Sequence, residues 1–297
     1  MGQIKEHVPL SLRYATLRLN KMKAIKFLFL PLATFTIIVL GFFNSKLLEF
    51  RPFIMENGDI NTNLIKLLLM IFLPMIIIFS LKELKAKSGL YFENKKDSAL
   101  LSWTCFYLLG PACIGFPLIG LLGFSFKDWG GSIILSGIFL IVLYFIPKIT
   151  KTLPTIKETD KGSLKGIISL ISLSILTVTL SLFSFDENLI FFKVLYFFFI
   201  VGVGEEILFR GYLQSSFNLY FGKKFKFGDV TFGWGLILSA ILFGLIHSIA
   251  PDPPVWPWML FTFAIGLILG YVREKSGSLL APIMLHILID FPLIFMS

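Results

Sequence analysis

Glu205, Glu206 and Arg210 follow directly on an apolar run, LIFFKVLYFFFIVGV, of the kind that crosses a membrane. A charged side chain at the bilayer centre costs at least about 2.5–3.5 kcal/mol, so such groups are normally paired, line a wet cavity or are functional. On a helix, Glu206 and Arg210 are four residues apart with the acid first, the favourable order for an ion pair. Glu205 is turned about 100° from Glu206 and falls out of register with Arg210. One carboxylate is then neutralised by the arginine, and the other is left free as a candidate general base in a low-dielectric site. The plainer alternative is that all three are charges at a helix end, snorkelling to the interface.

Two histidines also sit in apolar runs: His247 ends FGLIH and His286 begins HILID. Either alone is more simply a structural histidine bonded to a backbone carbonyl or a hydroxyl. Phe243 and His247 share one helix face, and so do His286 and Asp290. An aspartate four residues from a histidine can fix its tautomer and orientation. If residues 189–220 and 231–250 form an antiparallel hairpin about a turn at 221–230, Glu205 and His247 come level within about 3 Å of rise. A water held between two bases requires that placement. A helix over 189–220 would be about 48 Å long, more than one plain span. It is therefore expected to break near Gly202 and Gly204, or to protrude on the side of the basic loops. Counting loops, by contrast, puts His247 toward the outer face.

Glu205, His247, His286 and Asp290 are also of the types that ligate metals. HExxH is absent, so a zincin-type site has no support. There is no GxSxG, and neither Cys105 nor Cys113 has a histidine neighbour in sequence. Water activation is favoured over a protein nucleophile, with no cofactor and no metal expected.

The elements that must position these groups are membrane helices. Of 297 residues 56% are hydrophobic and 15% charged, against about 25% charged in ordinary soluble domains. The 34 phenylalanines suit lipid and helix packing. The fold class expected is an all-α polytopic transmembrane bundle of eight or nine spans. Its apolar stretches lie at 27–44, 64–81, 99–123, 132–147, 164–184, 189–205, 231–250, 257–272 and 279–296, with Pro111 and Pro117 kinking the third. The net charge of +9 is read as loop bias rather than as a nucleic-acid surface, so no nucleic-acid partner is expected.

Loops 82–98 and 148–165 each carry five lysines, and 223–228 and 273–275 are also basic. Between them, 45–63, 124–131, 185–188 and 251–256 are lysine-poor and carry Asp59, Asp186, Glu187 and Asp252. The positive-inside rule then places the N-terminus in the cytoplasm, of a bacterial inner membrane by preference. Three parts are expected: a basic N-terminal segment 1–26, a scaffold 27–188 and a catalytic region 189–297. Cys105 and Cys113 read as small buried hydrophobes. Met1-Gly2 is not followed by Ser or Thr at position 6, which is Glu6, so myristoylation is not expected. The first apolar run reads as a retained helix rather than a signal peptide.

The ordered set EEILFR, FGLIH and GSLLAPIMLHILID resembles the CPBP family, which comprises type II CAAX prenyl proteases and bacteriocin-processing proteins. Its pattern is EExxxR, FxxxH and HxxxN or HxxxD on three helices, matched over about residues 190–295. The resemblance implies an intramembrane glutamate protease. Glu205 and His247 would activate the attacking water, and His286 with residue 290 would stabilise the oxyanion. Glu206 and Arg210 would support the site by pairing, with Phe243 as the aromatic position of the second motif. Position 290 is Asp290 where prenyl-processing members have Asn. An amide donates to an oxyanion whereas an ionised carboxylate repels one, so Asp290 would act protonated or as an acceptor orienting His286. Substrates implied are lipidated tails, small signalling peptides or bacteriocin precursors, met in contact with membrane lipid. A non-catalytic regulator or immunity-type protein on the same scaffold is the alternative. A transporter with a Glu/His proton relay would also bury such groups, but no inverted repeat accompanies them.

Overall fold

The computed structural model describes residues 10–47, 64–92, 94–159, 161–182, 190–251 and 253–291. The readings placed on residues 1–9 and on Asp59, Asp186, Glu187 and Asp252 lie outside the described residues. Eleven helices and one hairpin follow in chain order among them. They are α1 (10–47), α2 (Leu64–Ser80), α3 (Lys82–Lys87), α4 (Lys95–Ala112), α5 (Gly115–Leu121), α6 (Trp129–Ile149), α7 (Lys165–Leu182) and α8 (190–221). A hairpin of β1 (Lys223–Phe227) and β2 (Val230–Gly233) leads into α9 (Trp234–Ile249), α10 (Trp258–Ser276) and α11 (Leu280–Asp290).

The fold is helical, as the composition requires and the all-α reading expects, with one short hairpin between helices. Phe227 pairs with Val230, leaving Gly228 and Asp229 as a two-residue turn. Gly228 has φ +62° and Asp229 does not share the left-handed conformation, the arrangement of a type II′ turn with glycine first. Gly-Asp between KKFKF and VTFG was the readable signal.

Three helices are long and apolar enough to cross a membrane: Arg18–Gly41, Lys95–Leu121 and Trp129–Ile149. Leu64–Ser80, Lys165–Leu180, Trp234–Ile249 and Leu280–Asp290 are shorter and apolar. Three of the expected eight or nine spans thus reach full length among the described residues. Large apolar side chains on the outer surface, such as Leu121, Leu122, Ile76 and Tyr107, are exposed, which suits a lipid-facing wall. The two prolines of the third span do more than kink it. The chain leaves the α-helix at Cys113 and Ile114 and restarts at Gly115.

Element ends have local causes. Asp128 caps α6 by accepting from Gly131 N at 2.7 Å. Gly277, at φ +63°, closes α10 through its N–H to Arg273 O, with Arg273 and Lys275 in the last turn. Of the two alternatives for α8, the break near Gly202 and Gly204 does not occur. Instead the helix runs on through two π-helical segments, Tyr196–Gly202 and Ile207–Gln214, which flank Glu205 and Glu206. Wide turns of this sort re-aim side chains without interrupting the backbone and often lie at functional sites.

Apolar cores form on two sides. One joins α1, α2 and α8 around Phe35, Ile71 and Phe209, and the other joins α4, α6 and α10 around Cys105, Phe139 and Ile268. The helix ends fall into two groups. At one end Phe92 bridges Ser163, Ile156 N donates to Lys275 O (2.9 Å) and Leu279 N donates to Gly89 O (2.9 Å). A polar network closes the same end. Glu274 Oε1 accepts from Gln214 (2.8 Å) and Asn218 (2.7 Å), while Lys223 pairs with both Glu158 and Glu274. These are the lysine-rich loops. At the other end Ser132 donates to Pro257 O and Phe126 packs edge-on against Trp258.

Candidate active site

The site is assembled where α8, α9 and α11 meet. Gly202 makes the closest approach possible: a Cβ there would come within 2.9 Å of Ile287 Cγ1. Absence of that carbon lets α11 press against α8 and brings His286 onto the acidic pair. Gly266 does the same for α9 and α10, where a Cβ would meet Ala240 at 3.1 Å. Small residues at such crossings are the usual device of membrane helix packing.

Glu206 and Arg210 form the expected ion pair, with Nη1 donating to Oε1 at 3.0 Å and both side chains fully buried. Arg210 Nη2 also donates to Gly266 O at 3.3 Å, and its guanidinium stacks 4.4 Å from the Phe243 ring centre. The charge is thus held from three sides. Glu206 has a further partner that sequence spacing did not suggest. His286 Nδ1 lies 2.8 Å from Glu206 Oε1. A carboxylate accepts only, so this contact places a proton on Nδ1 and aims Nε2 the other way. The orienting contact expected from Asp290 is looser, since Asp290 Oδ2 sits 3.5 Å from Nε2.

His247 is fixed from its other side. Its Nδ1 lies 2.7 Å from Phe243 O, an acceptor, so Nδ1 carries the proton. Nε2 then holds the lone pair and faces Glu205. The Phe243 ring packs 4.5 Å from that imidazole and 6.0 Å from that of His286. Phe243 therefore positions both histidines and the guanidinium.

Glu205 stands at the centre. Its Oε2 is 3.8 Å from His247 Nε2 and 3.8 Å from His286 Nε2, and it has no protein hydrogen-bond partner. A spacing of 3.8 Å is too long for a direct bond, so the two imidazoles flank this oxygen without bonding to it. Hairpin spacing puts Glu205 and His247 level, and in the structure they stand 3.8 Å apart. His247 lies two residues from the end of α9, the end that leads toward the lysine-poor stretch 251–256. The snorkelling alternative does not describe these groups, which point inward.

All four chemical residues line one cavity of about 1090 Å³. Its walls are largely apolar, from Phe116, Phe126, Trp258 and Phe261 among others, and it reaches Lys66 and Tyr196, which are hydrogen-bonded to each other. Cys113, read as a buried hydrophobe, lines this cavity and is a free thiol, whereas Cys105 is buried. Phe116, Phe126, Trp258, Phe261, Lys66 and Tyr196 carried no sequence signal, because a wall drawn from several helices follows from packing alone. Among the described residues no group of three His, Cys, Asp or Glu side chains is arranged to hold a metal ion.

Fold and site define a class: a helical integral membrane protein that gathers carboxyl and imidazole groups in a cavity among apolar helices. Within that class, residues 187–292 match the family model of the Type II CAAX prenyl endopeptidase Rce1-like proteins. The match bears out the recognition of the EExxxR, FxxxH and HxxxD motifs and takes in α8 to α11. No curated protein and no solved structure matches the chain.

Proposed function

We propose that the protein is an intramembrane endopeptidase that hydrolyses a peptide bond with a Glu205/His247-activated water. The observation that carries this reading is the position of Glu205 Oε2, equidistant at 3.8 Å from the Nε2 atoms of His247 and His286. Water bridging Glu205 and His247 loses a proton to one of these bases as its oxygen attacks the carbonyl carbon. Charge collects on the carbonyl oxygen. His286, with protons on both ring nitrogens, donates from Nδ1 to Glu206 and from Nε2 to that oxyanion. Asp290 in its protonated form supplies a second donor beside it. The proton taken from water passes to the departing amine as the C–N bond breaks, leaving an amine and a carboxylic acid whose own proton is lost to solvent on release.

Glu206 and Arg210 hold the imidazole in place and do not touch the substrate. The described helices of the 27–188 scaffold close the cavity through residues such as Val39, Met70 and Phe116. Apolar walls and a volume of about 1090 Å³ suit a hydrophobic or lipidated peptide segment, at the upper end of ordinary ligand pockets.

The test is a panel of lipidated and unmodified peptides incubated with purified protein in detergent or liposomes. Cleavage by the native protein, lost in Glu205→Gln and His247→Ala while both variants still accumulate in the membrane, is the expected result. Undiminished cleavage in both variants would remove the assignment. Undiminished cellular function of Glu205→Gln would favour a non-catalytic regulator instead.

A further inference from the structure

We infer that the cavity is reached from the membrane face opposite the lysine-rich loops, so that this protein acts on peptide segments presented at the non-cytoplasmic surface. Action on those segments rests on the hydrolytic reading above. The side of access stands independently on charge and packing.

The first observation is where the cavity lies. It is lined by residues at one set of helix ends: Val39 late in α1, Lys66 early in α2, Phe126 before α6, Ala250 after α9, Trp258 at the start of α10 and Asp290 at the close of α11. No lining residue comes from 82–96, 148–165, 223–228 or 273–275. The second is the charge of the two ends. Those four segments carry Lys82, Lys85, Lys87, Lys95 and Lys96, five lysines over 148–165, Lys223, Lys224 and Lys226, then Arg273 and Lys275. At the cavity end the short loop 122–128 has Lys127 as its one cation, offset by Asp128. Lys/Arg excess in short loops sets orientation, which makes the lysine-rich end cytoplasmic.

The third observation closes the other route. Between the cytoplasmic end and Glu206 lie Gln214, Arg273, Glu274 and Lys275, all buried. Lys275 Nζ pairs with Asp229 at 2.7 Å and Lys223 with Glu274 at 2.6 Å, while Glu158 pairs with Lys223 and Thr155 donates to Asp229, so the hairpin and the 150–159 loop are pinned across that end. A peptide arriving from the cytoplasm would have to displace this network, and uncompensated buried charges are costly. From the opposite face it meets apolar walls and then Glu205.

Side of access is read by thiol labelling of the full-length protein in intact cells. Cys105→Ala and Cys113→Ala remove the native thiols, and Ser125→Cys and Lys224→Cys are introduced separately. Both positions are exposed, one at the cavity mouth and one on β1. With a membrane-impermeant maleimide, Ser125→Cys is expected to label in intact cells as fully as after permeabilisation. Lys224→Cys should stay at background until the cells are permeabilised. Labelling of Lys224→Cys in intact cells, alone or together with Ser125→Cys, overturns the inference. Lys127→Cys and Lys157→Cys, also exposed, serve if either variant fails to accumulate. A reporter peptide exported across the membrane, but not its cytoplasmic twin, should be cut by the native protein and spared by Glu205→Gln. Correct labelling with neither reporter cut would leave the side of access standing and remove the hydrolytic reading. Cutting of the cytoplasmic twin alone would overturn the side of access and keep the hydrolysis.

Discussion

Glu206 and His286, 80 residues apart in the chain, share a hydrogen bond of 2.8 Å through Oε1 and Nδ1. That single contact ties the first motif to the third. It also makes Glu206 the group that sets which nitrogen of His286 faces the cavity. Arg210 completes the arrangement from one helical turn further along α8.

Removing one partner of this buried set leaves an uncompensated charge. Glu206→Ala and Arg210→Ala should each destabilise the protein by about 3–5 kcal/mol, the range for breaking a buried pair from one side. Thermal unfolding in detergent reads the loss. Glu206→Gln retains an acceptor for His286 Nδ1 and should keep more stability than Glu206→Ala. Equal losses in the two would mean that the hydrogen bond to His286 contributes nothing.

Glu205 and His247 are the two bases on the proposed water. Glu205→Gln and His247→Ala should each lower kcat by about 10²–10⁴, the range of a general-base contribution. Neither residue takes part in the buried ion pair, so unfolding temperatures should hardly move. A parallel collapse of stability would point to a structural role.

In the proposed mechanism Asp290 stands beside the oxyanion, where a hydrogen-bond donor serves best. Asp290→Asn should therefore keep or raise kcat, while Asp290→Ala should lower it. Loss of activity in Asp290→Asn equal to that in Asp290→Ala would show that a carboxyl group is indispensable there, as an acceptor for His286 Nε2 at 3.5 Å.

Gly202 is the contact point of α8 and α11. Gly202→Val should push Ile287 and the turn bearing His286 away, lowering both activity and stability, with overpacking of this kind costing about 1–3 kcal/mol. Shortening the opposing side chain in Gly202→Val/Ile287→Ala should restore part of both. No recovery in the double variant would place the fault in the α8 backbone rather than at the helix crossing.

Glu158 lies in the loop between α6 and α7, outside the apolar helices. Burial on its own would lift its carboxyl, but Arg273 and Lys223 reverse that and hold it at about 2, below its ordinary 4.5. A depressed acid stabilises the fold above its unfolded pKa and loses that contribution as pH falls from about 4.5 through about 2. The full contribution is at most about 3 kcal/mol at 1.36 kcal/mol for each pKa step. Glu158→Gln should be less stable than the native protein at pH 7, and the gap should narrow toward pH 3. A gap independent of pH would refute the linkage.

The sequence alone determined the solvent in which this chain folds, the helical class and the identity of the acid and imidazole residues. Each of these depends on local composition or on a spacing of three or four residues along one helix. Apolar runs long enough for lipid, a glutamate one turn before an arginine and a histidine one turn after a phenylalanine are all legible without a third dimension. Tertiary structure alone decided that Glu206, not Asp290, makes the closer contact to His286, and that α8 re-aims its carboxylates through π-helical turns where a break was one of two expectations. It also decided that Lys66, Cys113 and Trp258 wall the cavity. These outcomes depend on how closely helices from distant parts of the chain approach, which is set by the absence of one Cβ at Gly202 and by side-chain volumes on the facing helix. No local pattern in the sequence encodes that distance.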